Sequence, residues 1–270
     1  MNFDAIPIGG IFTGTIIVVM VALELGYRLG LAMHRRGSDD KDSAIATISA
    51  AILGLSGFML AFSFAIVSDR YDARKELVRE DAIAIRTAWQ RSDFLPDEDR
   101  GEAAALLLQY VDLRVKFAAG QSLQPERVQA FQAEARRLQD RLWSMAVVNA
   151  RKDMNSDVAA LYIDSLNEVN GIHAERVAVG LQTRVPREIW VVLYCVTLLG
   201  MVAGGYQTGV AGSKRSIARP IIAFSFALSF ALVFALIAAL DRPESGVIRV
   251  TQQPLIDLYD SMAAASGRVQ

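Results

Sequence analysis

The sequence contains few of the residues that bind metals or form disulfides. It has one cysteine, Cys195, in 270 residues, so it has no disulfide framework and no thiolate metal cluster. Its two histidines, His34 and His173, are far apart, and neither occurs at a metal-ligand spacing. We therefore expect no metal site and no cofactor.

Two further absences exclude classes of function. The chain lacks the basic excess that offsets the phosphates of a nucleic acid, because 28 lysines and arginines are balanced by 29 aspartates and glutamates at a net charge of −1. It also lacks strand patterns, and the Gly-rich phosphate loops of enzymes follow a strand. We expect neither a nucleic-acid partner nor an enzymatic activity.

Charge is sparse in four stretches of the chain, at residues 11–33, 44–68, 189–208 and 221–240. Each stretch has about the 20 residues that a helix needs to cross the hydrocarbon core of a bilayer. A signal peptide begins with basic residues, but no lysine or arginine precedes the first stretch. We therefore expect this stretch to be retained as a span. The sequence thus predicts a multi-pass membrane protein that lies in a lipid bilayer.

Charged residues crowd between the second and third stretches, and this divides the chain. The predicted division is a transmembrane hairpin at 1–68 with spans at about 11–33 and 44–68, a helical soluble domain at 69–187, a second hairpin at 188–240 with spans at about 188–208 and 220–240, and a C-terminal tail at 241–270.

Glycine and proline are missing from residues 58–95, so the helix of span two can continue for more than thirty residues. Val78 and Ile85 are seven residues apart, and Ile85 and Trp89 are four apart, so the three lie on one side of the extended helix. We call this apolar stripe the seam. Pro96 should end the extension.

The rest of the soluble part also has helical patterns. Helices are predicted at 101–119, at 125–148 and from near Asn155–Ser156, a plausible cap, to Thr183. The fold class is therefore an all-α integral membrane protein with four transmembrane helices and a helical soluble domain between spans two and three. Span two continues as a long helix out of the bilayer.

Span one carries charge within the apolar stretch. Glu24 and Arg28 are four residues apart, so they lie on one face of the helix and can pair. An ionisable residue inside a span is costly unless it is paired or reaches the interface. The pair is either an interfacial tie at the helix end or a charged element near an ion path.

Span two has two distinct faces. One has small residues suited to close contact with another helix, at Ala50, Gly54, Gly57 and Ala61. On a neighbouring face, Phe58 and Phe62 lie together. That aromatic face could point at lipid, at another helix or at a pore axis, and the sequence does not choose.

The distribution of basic residues gives conflicting predictions of sidedness. Two short loops carry cations, at Arg35, Arg36 and Lys41 and at Lys214, Arg215 and Arg219. By the positive-inside rule these loops are cytoplasmic, and the soluble domain lies outside. Cations at the exit of span two favour the opposite side, at Arg70, Arg74, Lys75 and Arg79.

The junction of span two resembles a known segment. Phe58-Met-Leu-Ala-Phe62, followed after seven residues by Arg70-Tyr71, resembles the neck of the bestrophin anion channels, which has Phe-x-Leu-Gly-Phe and then Arg-Trp at the same spacing. The whole chain resembles the bacterial bestrophin-like membrane family, long described as a domain of unknown function. Further matching stretches read ALELGYRLG, RYDARKELVREDAIAIRTAW and LDRPESGVIRVTQQPLIDL.

The resemblance implies a homo-oligomer, a pentamer by analogy, around one pore for small inorganic ions. Phe58 and Phe62 would form a hydrophobic neck, and Gly54 falls where the channels have a third, bulkier neck residue. Arg70, Arg74 and Lys75 would attract anions at the pore entrance or vestibule. The resemblance also implies the bacterial cytoplasmic (inner) membrane with a cytoplasmic soluble domain. The acidic calcium site of the channels has no match here.

Other interpretations stay open at this point. The two phenylalanines fit ordinary interhelical packing, and the cations fit an interfacial boundary. A non-conducting membrane scaffold or sensor, whose helical domain binds a partner, is the main alternative to a channel. A proton-driven motor subunit is less favoured, because residues 44–68 contain no acidic side chain.

Overall fold

A computed structural model describes residues 6–35, 42–120, 124–182, 184–210, 218–242 and 248–267. The described part is helical and contains no strand. Its helices are α1 (Ile8–His34), α2 (Asp42–Arg91), α3 (Asp97–Ala119), α4 (Pro125–Lys152), α5 (Asp157–Val177), α6 (Arg187–Val210), α7 (Ala218–Asp241) and α8 (Gln253–Ser266). Arg36, Lys41, Lys214 and Arg215, which entered the sidedness argument, lie outside the described residues.

Four of these helices, α1, α2, α6 and α7, are long and apolar enough to cross a membrane. This confirms the predicted all-α membrane fold with four spans. Helix α2 has 50 residues. A helix needs only about 20 residues to cross a bilayer core, so α2 is more than twice that length. It ends at Arg91, and a short 3-10 turn at Ser92–Phe94 leads to Pro96, so the predicted uninterrupted extension is confirmed.

The helix predicted to run from near Asn155–Ser156 to Thr183 differs in its last turns. Ser156 is the N-cap, and its hydroxyl accepts a hydrogen bond from the Ala159 backbone N–H at 3.2 Å. The α-helix ends at Val177, and the backbone continues as a π-helical turn at Ala178–Gln182. Glycine at position 180 lowers the helical preference there, which accounts for the change of hydrogen-bond pattern.

The chain divides into two compact units. One contains Met1–Arg70 and Arg184–Ile248, and the other contains Tyr71–Thr183 and Arg249–Gln270. Helix α8 belongs to the second unit, where its apolar side packs beside α3. The four-part division given above stays a prediction. The C-terminal tail of that division contributes α8 to the core of the second unit.

In the first unit, α1 and α6 meet through glycines. A Cβ added at Gly26 would overlap the carbonyl oxygen of Val202, and one at Gly30 would overlap that of Tyr206. Residue numbers rise together along this contact, so the two helices run parallel. Small residues let backbones approach closely in a membrane, where van der Waals packing drives association.

Gly205 and Gly209 complete this contact from α6, because each faces the backbone of α1 with no room for a side chain. Both helices therefore have two glycines four residues apart on the shared face. The sequence analysis did not assign this pairing.

Helix α2 contributes polar side chains to the first unit. Ser49, Ser56 and Ser63 recur every seven residues and are buried. The Ser56 hydroxyl shares a hydrogen bond of 2.8 Å with Thr197 of α6. The side of α2 that packs within the chain is thus the serine side, whereas a Cβ at Gly54 or Gly57 would contact nothing described within 4 Å.

The second unit has one apolar core. Val78 and Ile85 of α2 are buried, and Trp89 packs against the same core. The apolar pattern predicted for residues 125–148 also points inward, with buried side chains at Phe131, Ala135, Leu138, Leu142 and Met145. Helix α8 adds Leu255, Leu258 and Met262.

Candidate functional site

The aromatic face of α2 is exposed in the single chain. Phe58 and Phe62 have 66% and 59% of their surfaces accessible. Their rings are nearly parallel, at 17° with centroids 6.5 Å apart. Four residues are slightly more than one helical turn, so the two rings lie one above the other. Neither ring is buried against the rest of its own chain.

The surroundings of this face are apolar and partly small. Gly54 lies one turn before Phe58, and Ala61 and Gly57 are exposed beside it. Ser56 and Ser63 project from a different side of the helix, since at about 100° per residue Ser56 is about 160° from Phe58 and Ser63 is about 100° from Phe62 around the helix axis. Helix α2 therefore anchors itself by its serine side and presents Phe58 and Phe62 outward.

The three cations predicted at the exit of span two have different environments. Arg70 is largely buried, and its Nη1 lies 3.6 Å from Oδ1 of Asp241 at the end of α7. Arg74 is also buried. Lys75 is exposed, lies over the ring of Tyr71, and forms an ion pair of 3.3 Å with Asp72. Lys75 is the most exposed of the three.

Glu24 of α1 accepts two cationic side chains. Arg28 donates through Nε to Oε1 at 2.9 Å, which is the contact that the spacing predicts. Arg219 of α7 donates to the other carboxylate oxygen and stacks on Tyr27, with its guanidinium carbon 3.3 Å from the ring centre. The sequence analysis treated Arg219 only as a loop cation. The three charges link α1 to α7 and leave a net charge of +1.

The second unit contains a buried ionic cluster that the sequence analysis missed. Asp81 of α2 is fully buried and accepts hydrogen bonds from Arg114 of α3, at 2.9 Å, and from Arg176 of α5. Arg176 also donates to Gln252 at 3.0 Å. Burial lowers the pKa of Arg176, and the neighbouring Arg114 lowers it further. One signal was available, because Asp81 lies between Val78 and Ile85 on the apolar seam.

His173 lies beside this cluster and is held neutral. Burial lowers the pKa of its imidazole to about 4. Gln139 donates to the hydroxyl of Tyr110 at 3.2 Å, and that hydroxyl lies 3.1 Å from His173 Nδ1, to which it can donate. Burial raises the pKa of Tyr110 to about 12, so this hydroxyl keeps its proton. His173 is a structural residue of the core here.

No group of three His, Cys, Asp or Glu side chains that could hold a metal ion occurs within the described residues. The candidate site is therefore the exposed aromatic pair on α2, followed by charged residues where this helix leaves its apolar stretch. Such a surface suits contact with lipid or with other copies of the chain.

Comparison with known proteins gives one family and one fold. The family model described as a Bestrophin-like domain matches residues 14–255. A crystal structure of a bacterial bestrophin homologue from Klebsiella pneumoniae is similar at a TM-score of 0.65 and 16% identity, over 95% of this chain and 97% of that one. A point variant of a Klebsiella pneumoniae bestrophin homologue has a TM-score of 0.61 at 16% identity, over 94% and 98% of the two chains.

A further solved membrane protein has a TM-score of 0.67 at 15% identity and covers 96% of this chain and 98% of its own. At these identities the likeness concerns the fold. A search of curated proteins finds no match.

Proposed function

Because the chain belongs to the bestrophin-like family, we propose that it forms a homo-oligomeric, anion-conducting channel whose neck is made by Phe58 and Phe62. The observation that carries this proposal is the aromatic pair itself. Two stacked phenyl rings are exposed on α2, while the other side of the same helix is buried in its own chain. In a ring of subunits, a pentamer by analogy, this face is available to line a central axis.

The proposed neck works by its apolar surface. A narrow pore lined by phenyl rings holds water poorly, so it blocks ions until it widens. Gly54 adds no side chain one turn away. The proposed constriction is therefore two rings long in each subunit rather than three.

The charge at the proposed entrance comes from Arg70, Arg74 and Lys75. Lys75 contributes the most accessible cation, although Asp72 partly offsets it. A cationic surface around a pore mouth raises the local concentration of anions. We place this mouth and the soluble helices on the cytoplasmic side of the bacterial inner membrane. The family resemblance favours this orientation, whereas the cations of the two short loops favour the opposite one.

The first experiment records current across a planar bilayer that contains the purified oligomer under a KCl gradient. A reversal potential near the chloride equilibrium potential supports the proposal, and one near the potassium potential refutes anion selectivity. Silence from a well-formed oligomer would favour the non-conducting scaffold.

The neck is tested by replacing both rings. Phe58→Ala with Phe62→Ala should raise the basal conductance severalfold, because the apolar obstruction shortens and widens. Phe64→Ala is a matched control, since Phe64 is another exposed phenyl on α2 but lies on a different side of the helix. Equal currents from the double variant and the wild type, with the oligomer intact, would contradict the assignment of the neck.

A further inference from the structure

A cleft opens in the second unit where α4 ends and α5 begins. Its volume is about 160 Å³. Its walls come from the last turn of α4, the first two turns of α5 and the short segment between α2 and α3. A cavity of about 150 Å³ can hold one benzene molecule, so this cleft has room for one six-membered ring.

Part of the wall of the cleft is apolar and open to solvent. Phe94 and Val158 are 51% and 44% exposed. Leu95 and Pro96 also line the cleft. Apolar side chains around a concave surface are typical of sites for small ligands, because a bound ring removes them from water.

Two polar side chains that line the cleft are deeply buried and incompletely hydrogen-bonded. Tyr162 is 1% exposed, and its hydroxyl has no hydrogen-bond partner among the described residues. Asn149 is 8% exposed, and its Oδ1 also lacks a partner within the part of the chain that the structure describes. A buried polar atom without a partner is unfavourable, so a ligand group that bonds to both atoms would gain from them.

The hydrogen bonds of Asn149 determine what its oxygen can bind. Nδ2 donates to Oδ2 of Asp99 at 2.7 Å and to the carbonyl of Met145 at 3.0 Å. Both partners are acceptors, so the amide nitrogen must face them, and Oδ1 is left to accept from a donor. Burial raises the pKa of Tyr162, so its hydroxyl keeps its proton and can donate. A ligand hydroxyl both donates and accepts, and it therefore matches both residues.

The charges around the cleft favour a neutral ligand. One cation and one anion line it, Lys152 and Asp153. Lys152 is already paired with Glu98 at 3.0 Å. The C-terminus of α4 and the N-terminus of α5 both lie at the cleft, and their partial charges have opposite signs. An ionic ligand would thus find no net charge of opposite sign here.

We propose that this cleft binds one small neutral molecule that has an apolar ring and a hydroxyl group, the class to which phenol belongs. The ring lies against Phe94 and Val158. The hydroxyl donates to Oδ1 of Asn149 and accepts from Tyr162. This inference does not depend on the proposed channel, because the second unit alone forms the cleft.

The test titrates the full-length protein in micelles with phenol and with toluene, in which a methyl group replaces the hydroxyl. Both probes are compared in the wild type and in Tyr162→Phe. Phenol should bind the variant about fivefold more weakly, as expected for the loss of one hydrogen bond, whereas toluene should bind it at least as tightly. Partition of the probes into micelles is common to both proteins and cancels in the comparison.

Two further variants control the titration. Tyr259→Phe is the matched control, because Tyr259 packs against the core of the same unit but does not line the cleft, and both affinities should stay unchanged. Ala159 lines the cleft, so Ala159→Leu should fill part of it and abolish the binding of both probes.

Three results would overturn the proposal. The first is a folded wild type that binds no phenol. The second is a Tyr162→Phe variant in which the affinity for phenol is unchanged, or falls no more than the affinity for toluene. The third is a folded Ala159→Leu variant that still binds phenol as the wild type does, which would place the probe elsewhere.

Discussion

Replacing Gly205 by alanine should destabilise the first unit, although the change adds one methyl group. Gly205 lies where α6 meets α1, and a Cβ there would lie 3.0 Å from the backbone nitrogen of Tyr27 and closer still to the carbonyl oxygen of Leu23. The atoms it meets belong to the backbone, so no side-chain rotation can relieve the contact. The two helices must separate.

The neighbouring Gly204 gives a matched control. A Cβ there would meet only the Leu53 side chain, at 3.9 Å, which is an ordinary van der Waals contact. Gly204→Ala should therefore be neutral or stabilise the protein by up to about 1 kcal/mol, the helix-propensity gain of alanine over glycine. Gly205→Ala has the same gain but should lose about 1–3 kcal/mol through overpacking, and more if the contact with α1 is lost along its length.

The assay is the free energy of unfolding of the full-length protein in mixed micelles, measured for both variants in parallel. The expected result is that Gly205→Ala is less stable than Gly204→Ala by about 1–3 kcal/mol, which is the cost of overpacking alone, because both variants have the same propensity gain and it cancels in the comparison. A difference below about 0.5 kcal/mol, the usual scatter for substitutions outside special sites, would refute the close contact of α1 and α6.

Two further predictions concern the soluble core. Asp81→Ala should cost about 3–5 kcal/mol in the free energy of unfolding, because it leaves two buried guanidinium groups without their anion. Glu134→Ala removes an exposed ion pair and should cost far less. Similar losses for the two variants would mean that the cluster is hydrated. Burial lowers the pKa of His173 from 6.5 to about 4, so its contribution to stability is present above pH 6.5 and is lost as the pH falls towards 4. Wild-type Tm should therefore fall more steeply than that of His173→Gln between pH 7 and pH 4.5, and parallel curves would contradict a buried neutral imidazole.

The sequence predicted the features that depend on local periodicity. Four apolar stretches of sufficient length predicted the spans, and the absence of glycine and proline after Phe58 predicted the long α2. The sevenfold spacing of Val78 and Ile85 predicted which side of α2 is buried in the second unit. These features follow from chain geometry alone, because a helix places residues three, four and seven apart on one side.

The contacts that join distant parts of the chain were not predicted. Asp81 and Arg176 are separated by 95 positions, and Arg70 and Asp241 by 171. Charged residues usually lie in solvent, so a single sequence gives little reason to bury them together. Asp81 was the exception that could have been noticed, since it occupies a seam position where an apolar residue would be expected.

The candidate site was predicted only in part for the same reason. Spacing placed Phe58 and Phe62 on one face, and the structure adds that this face is exposed in the single chain. Spacing also grouped Arg70 with Lys75, but the two have different surroundings, because Asp241 is supplied from the far end of the chain.

The exposed face of α2 and the contact between α1 and α6 contain the same kinds of residue, which bears on self-association. Gly26 and Gly30 show how this chain uses glycine inside the apolar stretches, because they bring two backbones together. Gly54 and Gly57 are also in an apolar stretch, but they meet no described neighbour within 4 Å. Glycine in a helix costs up to about 1 kcal/mol relative to alanine. Contact with lipid does not offset this cost, whereas close packing against a helix of a second copy does. This supports the proposal that the aromatic face of α2 is completed by other subunits.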